Sequence, residues 1–408
     1  MTLYAGAAGT DITPPPGISM GGYIAREGPA TGTLDPLKAK ALYFHDGRQG
    51  AVILCADLVS LDPDLSLRIR RETASALGLD EASVFINCSH THSGPLTYSF
   101  TGMGVRDEAY CDVLARKMIG IAEEAADRVR PASITYGESS AQIGFNRRNR
   151  GDAGLVSHGR SLAGLTCPLV QTVSVTRPEG SLIALLFTHA CHPVTLGHEN
   201  RRFSADWPGA AVGFLESRLR GKDSANVYGA EAIAMYAQGC CGDVNPIARG
   251  MENDVLENGQ AIGAAAHAAR WSGRFPGEDS VLTSEYAVEL PAAGGATVSF
   301  AVQQFRIGGV TMLGFPAEMF VQYQLDFMSA IEGPLLALGN CNASDRYLPT
   351  ASEWARGGYE VKEAAYYYAT PAVTQEAEQI LRRAVYEHLG AEASLEPYPP
   401  ANSADARR

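Results

Sequence analysis

The sequence predicts an α/β fold, a mixed β-sheet flanked by helices, with its site at the strand ends. Two observations carry this. Short apolar runs of strand length alternate with longer amphipathic stretches of helical period. Clusters rich in His, Gly and Cys follow directly after several of those apolar runs, and in open α/β sheets the strand-end edge is where sites collect.

Strands are predicted at 41–44 and 51–56, flanking the turn Asp-Gly-Arg-Gln-Gly. Asp62-Pro63, a cap residue with proline at the first helical position, opens a helix in which Leu65, Ile69 and Leu77 recur at helical spacing. A buried strand follows at 84–88 and a long helix at 108–128. Runs at 169–175 and 182–187 flank the turn Arg-Pro-Glu-Gly and predict a hairpin. Further short strands are predicted at 232–237, 310–313 and 335–338, and helices at 210–219, 255–271, 319–331 and 374–389. No internal repeat or composition break divides the chain, so residues 1–395 are expected to form a single domain. The Pro-, Ala- and charge-rich tail 396–408 is expected to fray.

The chain has 408 residues, 46% hydrophobic and 19% charged, which is enough to bury a sizeable core. Its net charge of -12 is spread along the chain without a basic block, which argues against nucleic acid or an anionic membrane as partner. No apolar run approaches the roughly 20 residues of a bilayer span. The start of the sequence lacks a basic stretch leading into an apolar one, so no secretory signal is expected. Eight scattered cysteines read as buried free thiols, and the expected location is cytoplasmic. The sequence leaves room for a homo-oligomer.

Four clusters carry the chemistry. Ser89-His90-Thr91-His92-Ser93-Gly94-Pro95 brings two imidazoles together at a strand end, suited to one metal, or to one metal and one general acid/base. Thr188-His189-Ala190-Cys191-His192-Pro193 does the same at another. There His189 reads as a satisfied core histidine and His198 as a solvated loop residue, while Asp206 reads as a helix cap. The loop Gln238-Gly239-Cys240-Cys241-Gly242-Asp243-Val244-Asn245-Pro246 either presses its backbone close to a ligand or is a tight turn with buried thiols. Adjacent cysteines without a Cys-x-x-Cys partner argue against a cysteine zinc site. Glu318 in Gly-Phe-Pro-Ala-Glu-Met-Phe, taken alone, reads as an ordinary first-turn carboxylate.

Taken in order, the chain resembles the neutral/alkaline non-lysosomal ceramidase family in its N-terminal catalytic region. The resemblance runs from Gly9-Thr10-Asp11-Ile12-Thr13-Pro14-Pro15 and Met20-Gly21-Gly22-Tyr23 to the region of Tyr359. It is carried by His-Thr-His-Ser-Gly-Pro, Cys191-His192-Pro193-Val194, Gly242-Asp243-Val244, Pro316-Ala317-Glu318 and Tyr347-Leu348-Pro349-Thr350. The resemblance implies a zinc held by His90, His192, Glu318 and Tyr347, with His92 beside the metal. It also implies an arginine in the substrate site, Arg147 with Arg148 one residue out of register, and a second substrate-site tyrosine, Tyr359. Two nitrogens, a carboxylate and a phenolate suit zinc. The implied activity is hydrolysis of a linear amide by metal-activated water; the lack of a signal, an added domain or a basic amphipathic helix points to a small soluble N-acyl compound as substrate in place of ceramide. The alternatives are a metallo-esterase or lactonase, and a metal-stabilised binding protein without catalysis. Asp57 is a candidate partner for a ligand histidine, or else a structural cap. The sequence departs from the family where the Gly-Asp loop begins: Gly239 stands where the ceramidases carry a serine, beside Cys240 and Cys241. The C-terminal β-sandwich of the larger ceramidases is expected to be absent.

Overall fold

The structure is a computed structural model that describes residues 2–151, 156–161, 163–219, 232–274 and 277–391. The expected fraying tail at 396–408 lies outside the described residues. Within them the fold is mixed α/β, with several sheets in place of one central sheet.

The first sheet has the strand order Val84–Cys88, Gly50–Ala56, Lys38–His45, Tyr4–Asp11 and Arg130–Pro131. Lys38–His45 and Gly50–Ala56 pair antiparallel across the expected turn, and Gly50–Ala56 pairs parallel with Val84–Cys88. Gly50–Ala56 is buried along its whole length, as a near-continuous apolar strand covered on both faces should be. Helices Pro63–Leu77, with proline at its start, and Glu108–Asp127, capped by the Asp107 side chain, seal its outer face.

The second sheet runs Ile233–Gln238, Leu182–His189, Leu169–Thr176, Ser133–Ser140, and contains the expected hairpin. Helices Asp206–Leu219 and Glu252–Trp271 cover it. The third runs Val281–Pro291, Thr297–Ile307, Val310–Gly314, Leu335–Leu338. Its long antiparallel first pair was not predicted: those segments mix charged and apolar residues without a clean alternation, and their burial is correspondingly irregular. The three sheets share one core, in which Phe44 and Phe85 meet Val173, Leu186 and Met235 of the second sheet and Phe305, Met312 and Leu336 of the third.

The predicted helix 319–331 begins later than expected, as Val321–Ala330. Glu318–Met319 is instead a two-residue strand, parallel to Tyr347–Leu348, with Glu318 and Tyr347 as register partners. Helix propensity yields here to a pairing between segments 29 residues apart, which no local pattern announces.

Three strand ends converge on Asn87, which is fully buried. Its Nδ2 donates to Gly339 O at 2.9 Å and Gln238 O at 3.4 Å, and its Oδ1 accepts from Gln238 N at 2.7 Å. Isolated bridges Asn87–Cys341 and Gly239–Leu338 complete the seam. One amide thus binds the exits of the three sheets beside the His90 loop. Asn87→Ala would strand a buried backbone N–H and carbonyl, and is expected to cost about 2–4 kcal/mol of unfolding free energy. Asn253→Ala, on an exposed helix face, is expected to cost about 0.5 kcal/mol or less. Denaturant titration of both variants checks this; equal midpoints would contradict the role given to Asn87.

Candidate metal centre and its cavity

His90 leaves the Val84–Cys88 strand with φ of +66°, an uncommon conformation for a side chain of its size. The turn is held by its N–H to Leu58 O at 2.8 Å and by Nδ1 against Val59 O at 2.7 Å. His192, just beyond the Leu182–His189 strand, places Nδ1 at 2.6 Å from Cys241 O and 3.2 Å from Val244 O. A carbonyl only accepts, so both imidazoles carry their proton on Nδ1 and present a bare Nε2 lone pair. Both lone pairs face one oxygen: Glu318 Oε2 lies 2.8 Å from His192 Nε2 and 3.2 Å from His90 Nε2. His92 adds a third nitrogen, its Nε2 3.3 Å from that of His90. The ligand atoms of His90, His92 and His192 all lie within 4.8 Å of one another.

Burial pushes the His192 imidazole down to about 4, reinforced by the Arg147 charge. Burial also drives His92 well below its usual range, with the neighbouring imidazoles adding to it. The Glu318 carboxylate is buried and accepts from Tyr368, and its charge needs a further positive partner on the Oε2 side. An anionic carboxylate facing neutral lone pairs is a donor set waiting for a cation. Imidazoles that give their other N–H to backbone carbonyls are oriented as metal-bound histidines are. The residues present therefore fit zinc.

The second carboxylate oxygen, Oε1, accepts from Tyr368. Arg147 is 5% exposed and braces the cluster: Nη2 donates to Tyr347 Oη at 2.9 Å, Nη1 to Asn245 Oδ1 at 3.3 Å, and Nε to Glu360 at 2.8 Å. Arg148, its neighbour on the Gly144–Arg150 strand, shares Glu360 with it and also bonds Glu353 and the carbonyl of Gly357. Of the two, Arg147 is the one that lines the cavity. Tyr359 stands edge-on to Tyr347, ring centres 5.8 Å apart. All seven sequence-predicted site residues (His90, His92, Arg147, His192, Glu318, Tyr347 and Tyr359) meet in this one place.

Asp57 does not join them. It accepts from Lys38 N at 2.9 Å, and burial raises its carboxyl to about 7, so it is the structural cap. The glycine loop is the expected tight turn with two buried thiols. Gly242 has Glu318 O within 2.6 Å of where a Cβ would stand, so the loop presses on the backbone of the carboxylate segment. Gly239 is packed against His189 O and Gln324, and the residue of this loop that faces the cavity is Asn245. Burial holds the Cys240 and Cys241 thiols well above their usual range. Asp206 does more than cap a helix: its carboxylate takes N–H bonds from Thr195, Leu196 and Trp207, fixing the chain that leaves His192. His189 is a core histidine with Nδ1 on Leu169 O and Nε2 unpartnered among the described residues. His198 is half exposed, as expected of a loop, yet stands on the cavity wall.

A cavity of 450 Å³ opens beside His92, within the range of small-molecule sites. Tyr23, Phe145, Tyr347, Tyr359 and Tyr367 give it an aromatic wall. Gly22, at φ of +98°, lets the chain before Tyr23 lie against His92, whose Cγ would sit 2.6 Å from any Cβ there. Tyr23, Asn245, Glu360, Tyr367 and Tyr368 were not singled out as site residues from the sequence. The run Tyr366-Tyr367-Tyr368 was a visible signal; Glu360 showed none beyond its place next to Tyr359.

No curated protein matches the chain in sequence. Among solved structures, a neutral ceramidase from Pseudomonas aeruginosa superposes with a TM-score of 0.73 at 18% identity, over 98% of this chain and 77% of that one. A ceramidase complexed with C2 superposes with a TM-score of 0.74 at 17% identity, over 99% and 78%. These show a shared fold. A sequence profile described as neutral/alkaline non-lysosomal ceramidase, N-terminal, matches residues 4–290, and on that match the chain belongs to the neutral/alkaline non-lysosomal ceramidase family.

Proposed function

We propose that this protein is a zinc-dependent hydrolase that cleaves a linear N-acyl amide by activating water. The observation that carries the reading is the convergence of two bare imidazole nitrogens and an ionised carboxylate on one point beside a ligand-sized cavity. Family membership supports the amide, since ceramide is an N-acyl amide. His90, His192, Glu318 and Tyr347 would hold the metal. Zinc in such a site makes water a nucleophile near pH 7, against about 15.7 in bulk, and polarises a carbonyl oxygen.

The remaining steps belong to the chain. His92, kept neutral by burial, has its Nε2 at the centre and can take the proton of the attacking water and pass it to the departing amine. Burial holds the Tyr359 phenol well above its ordinary range, so it stays a donor for the carbonyl oxygen as negative charge grows there. Arg147 fixes Tyr347 and Asn245, and Glu360 balances its charge. A cytoplasmic location is consistent with eight buried, unpaired cysteines, and no helix among the described residues is long and apolar enough to cross a membrane.

Turnover on a panel of matched N-acyl amides and esters tests the reading. Amide hydrolysis that disappears in chelator and returns with zinc, at about one zinc per chain, is expected; full activity in chelator by protein free of transition metal would refute it. Cys240→Ala, Cys241→Ala and the double variant are expected to keep kcat within about tenfold of the parent. A loss of a thousandfold or more in a folded variant, roughly 4 kcal/mol of barrier, would replace the water mechanism with a thiol one. The cavity volume favours a small substrate, so kcat/KM is expected to peak at short or medium acyl chains. A steady climb with chain length to a maximum on detergent-dispersed ceramide would overturn that size limit.

A further inference from the structure

The cavity beside His92 is lined by Arg147, Arg249, His92, His158 and His198, and among the described residues no Asp or Glu lines it. This is an unusual wall for a chain of net charge -12. The inner arginine is neutralised: Arg147 Nε lies 2.8 Å from Glu360, a carboxylate shared with Arg148. His158 reaches no nearer than 3.8 Å to that same, already committed group.

Arg249 is different. It stands exposed in the loop between Val244–Pro246 and Glu252–Trp271, and it forms no ion pair among the described residues. It lines the cavity with Tyr23 and its charge acts on the Tyr23 hydroxyl, which donates to Leu196 O at 2.9 Å. The loop is not adrift: Gly250 N–H bonds Thr195 O at 2.8 Å, which ties it to the segment that carries His192. The result is a cation anchored at the wall, with donors left over, facing an aromatic cavity that ends at the imidazole cluster. A guanidinium offers a planar fork matched to a carboxylate, and a wall of one sign draws an anion inward.

We propose that the substrate is an N-acyl amino acid, whose free carboxylate binds Arg249 while its amide lies at His92. This deepens the amide-hydrolase reading and rests on it. The reaction adds water across the amide: the acyl carbon gains the hydroxyl, the C–N bond breaks, and the nitrogen takes the proton. The products are a carboxylic acid and a free amino acid. Ceramide, which has no anionic group, would leave Arg249 unused.

The test compares N-benzoylglycine with N-benzoylglycinamide, which differ in charge and hardly in size. Binding to zinc-loaded protein is measured by calorimetry, and kcat/KM by product release, for the parent, Arg249→Gln and Arg249→Lys. The acid is expected to bind at least about tenfold tighter than the amide, as for a single well-placed charge pair. That preference should vanish in Arg249→Gln and survive in part in Arg249→Lys. Equal binding of the two compounds, binding of neither up to their solubility, or a preference that persists in Arg249→Gln would overturn the proposal. If N-benzoylglycinamide and other neutral amides are hydrolysed with no advantage to the acid, only the carboxylate assignment fails. If the acid binds through Arg249 but no amide is hydrolysed, carboxylate recognition stands and the hydrolytic reading falls.

Discussion

The structure is organised around a buried negative charge. Glu318 is 2% exposed, and a carboxylate out of water is tolerated only where partners replace its solvation. The Tyr368 hydroxyl supplies a donor, but the imidazoles at Oε2 present lone pairs, because backbone carbonyls have claimed their only protons. That side of the carboxylate is suited to a cation, the role given to it in the proposed zinc site. Arg147 stands at the edge of the centre, its Nη1 3.4 Å from His192 Nε2, bound to Tyr347 and balanced by Glu360.

Placing four such residues from four distant stretches of chain demands a rigid frame. The three sheets provide it through their common core, and Asn87 joins their exits next to the His90 turn. The pairing of Glu318 with Tyr347 in a two-residue ladder sets two candidate ligands side by side, and Gly242 permits the close approach that backs it. The left-handed conformation at His90, worth about 1–2 kcal/mol of strain, persists because two hydrogen bonds fix it. Strain of this kind gathers where geometry serves a site.

Much of this was legible in the sequence. Strands with continuous burial, such as Gly50–Ala56 and Val84–Cys88, announced themselves, as did helices with a proline start or a regular apolar stripe. The order and spacing of the His, Glu and Tyr motifs led to the residues that meet at the site. What stayed hidden depends on distant partners. Thr297–Ile307 reads as a strand only once its neighbours are known, and Glu318 leaves the expected helix for a ladder with Tyr347. Asp57 sits at a strand end like the cluster residues, and only its bond to Lys38 N places it elsewhere. Asn245 lies on a three-residue strand and Arg249 in the loop after it, neither announced by any periodicity, and both line the cavity.

The central claim is that His90, His192 and Glu318 converge on a metal rather than on a proton. Anomalous diffraction at the zinc edge, from crystals grown with zinc, addresses it directly. The account requires a single strong peak about 2.0–2.2 Å from His90 Nε2, His192 Nε2 and a Glu318 oxygen. No peak at the cluster, with the two imidazoles bonded straight to Glu318, would contradict it.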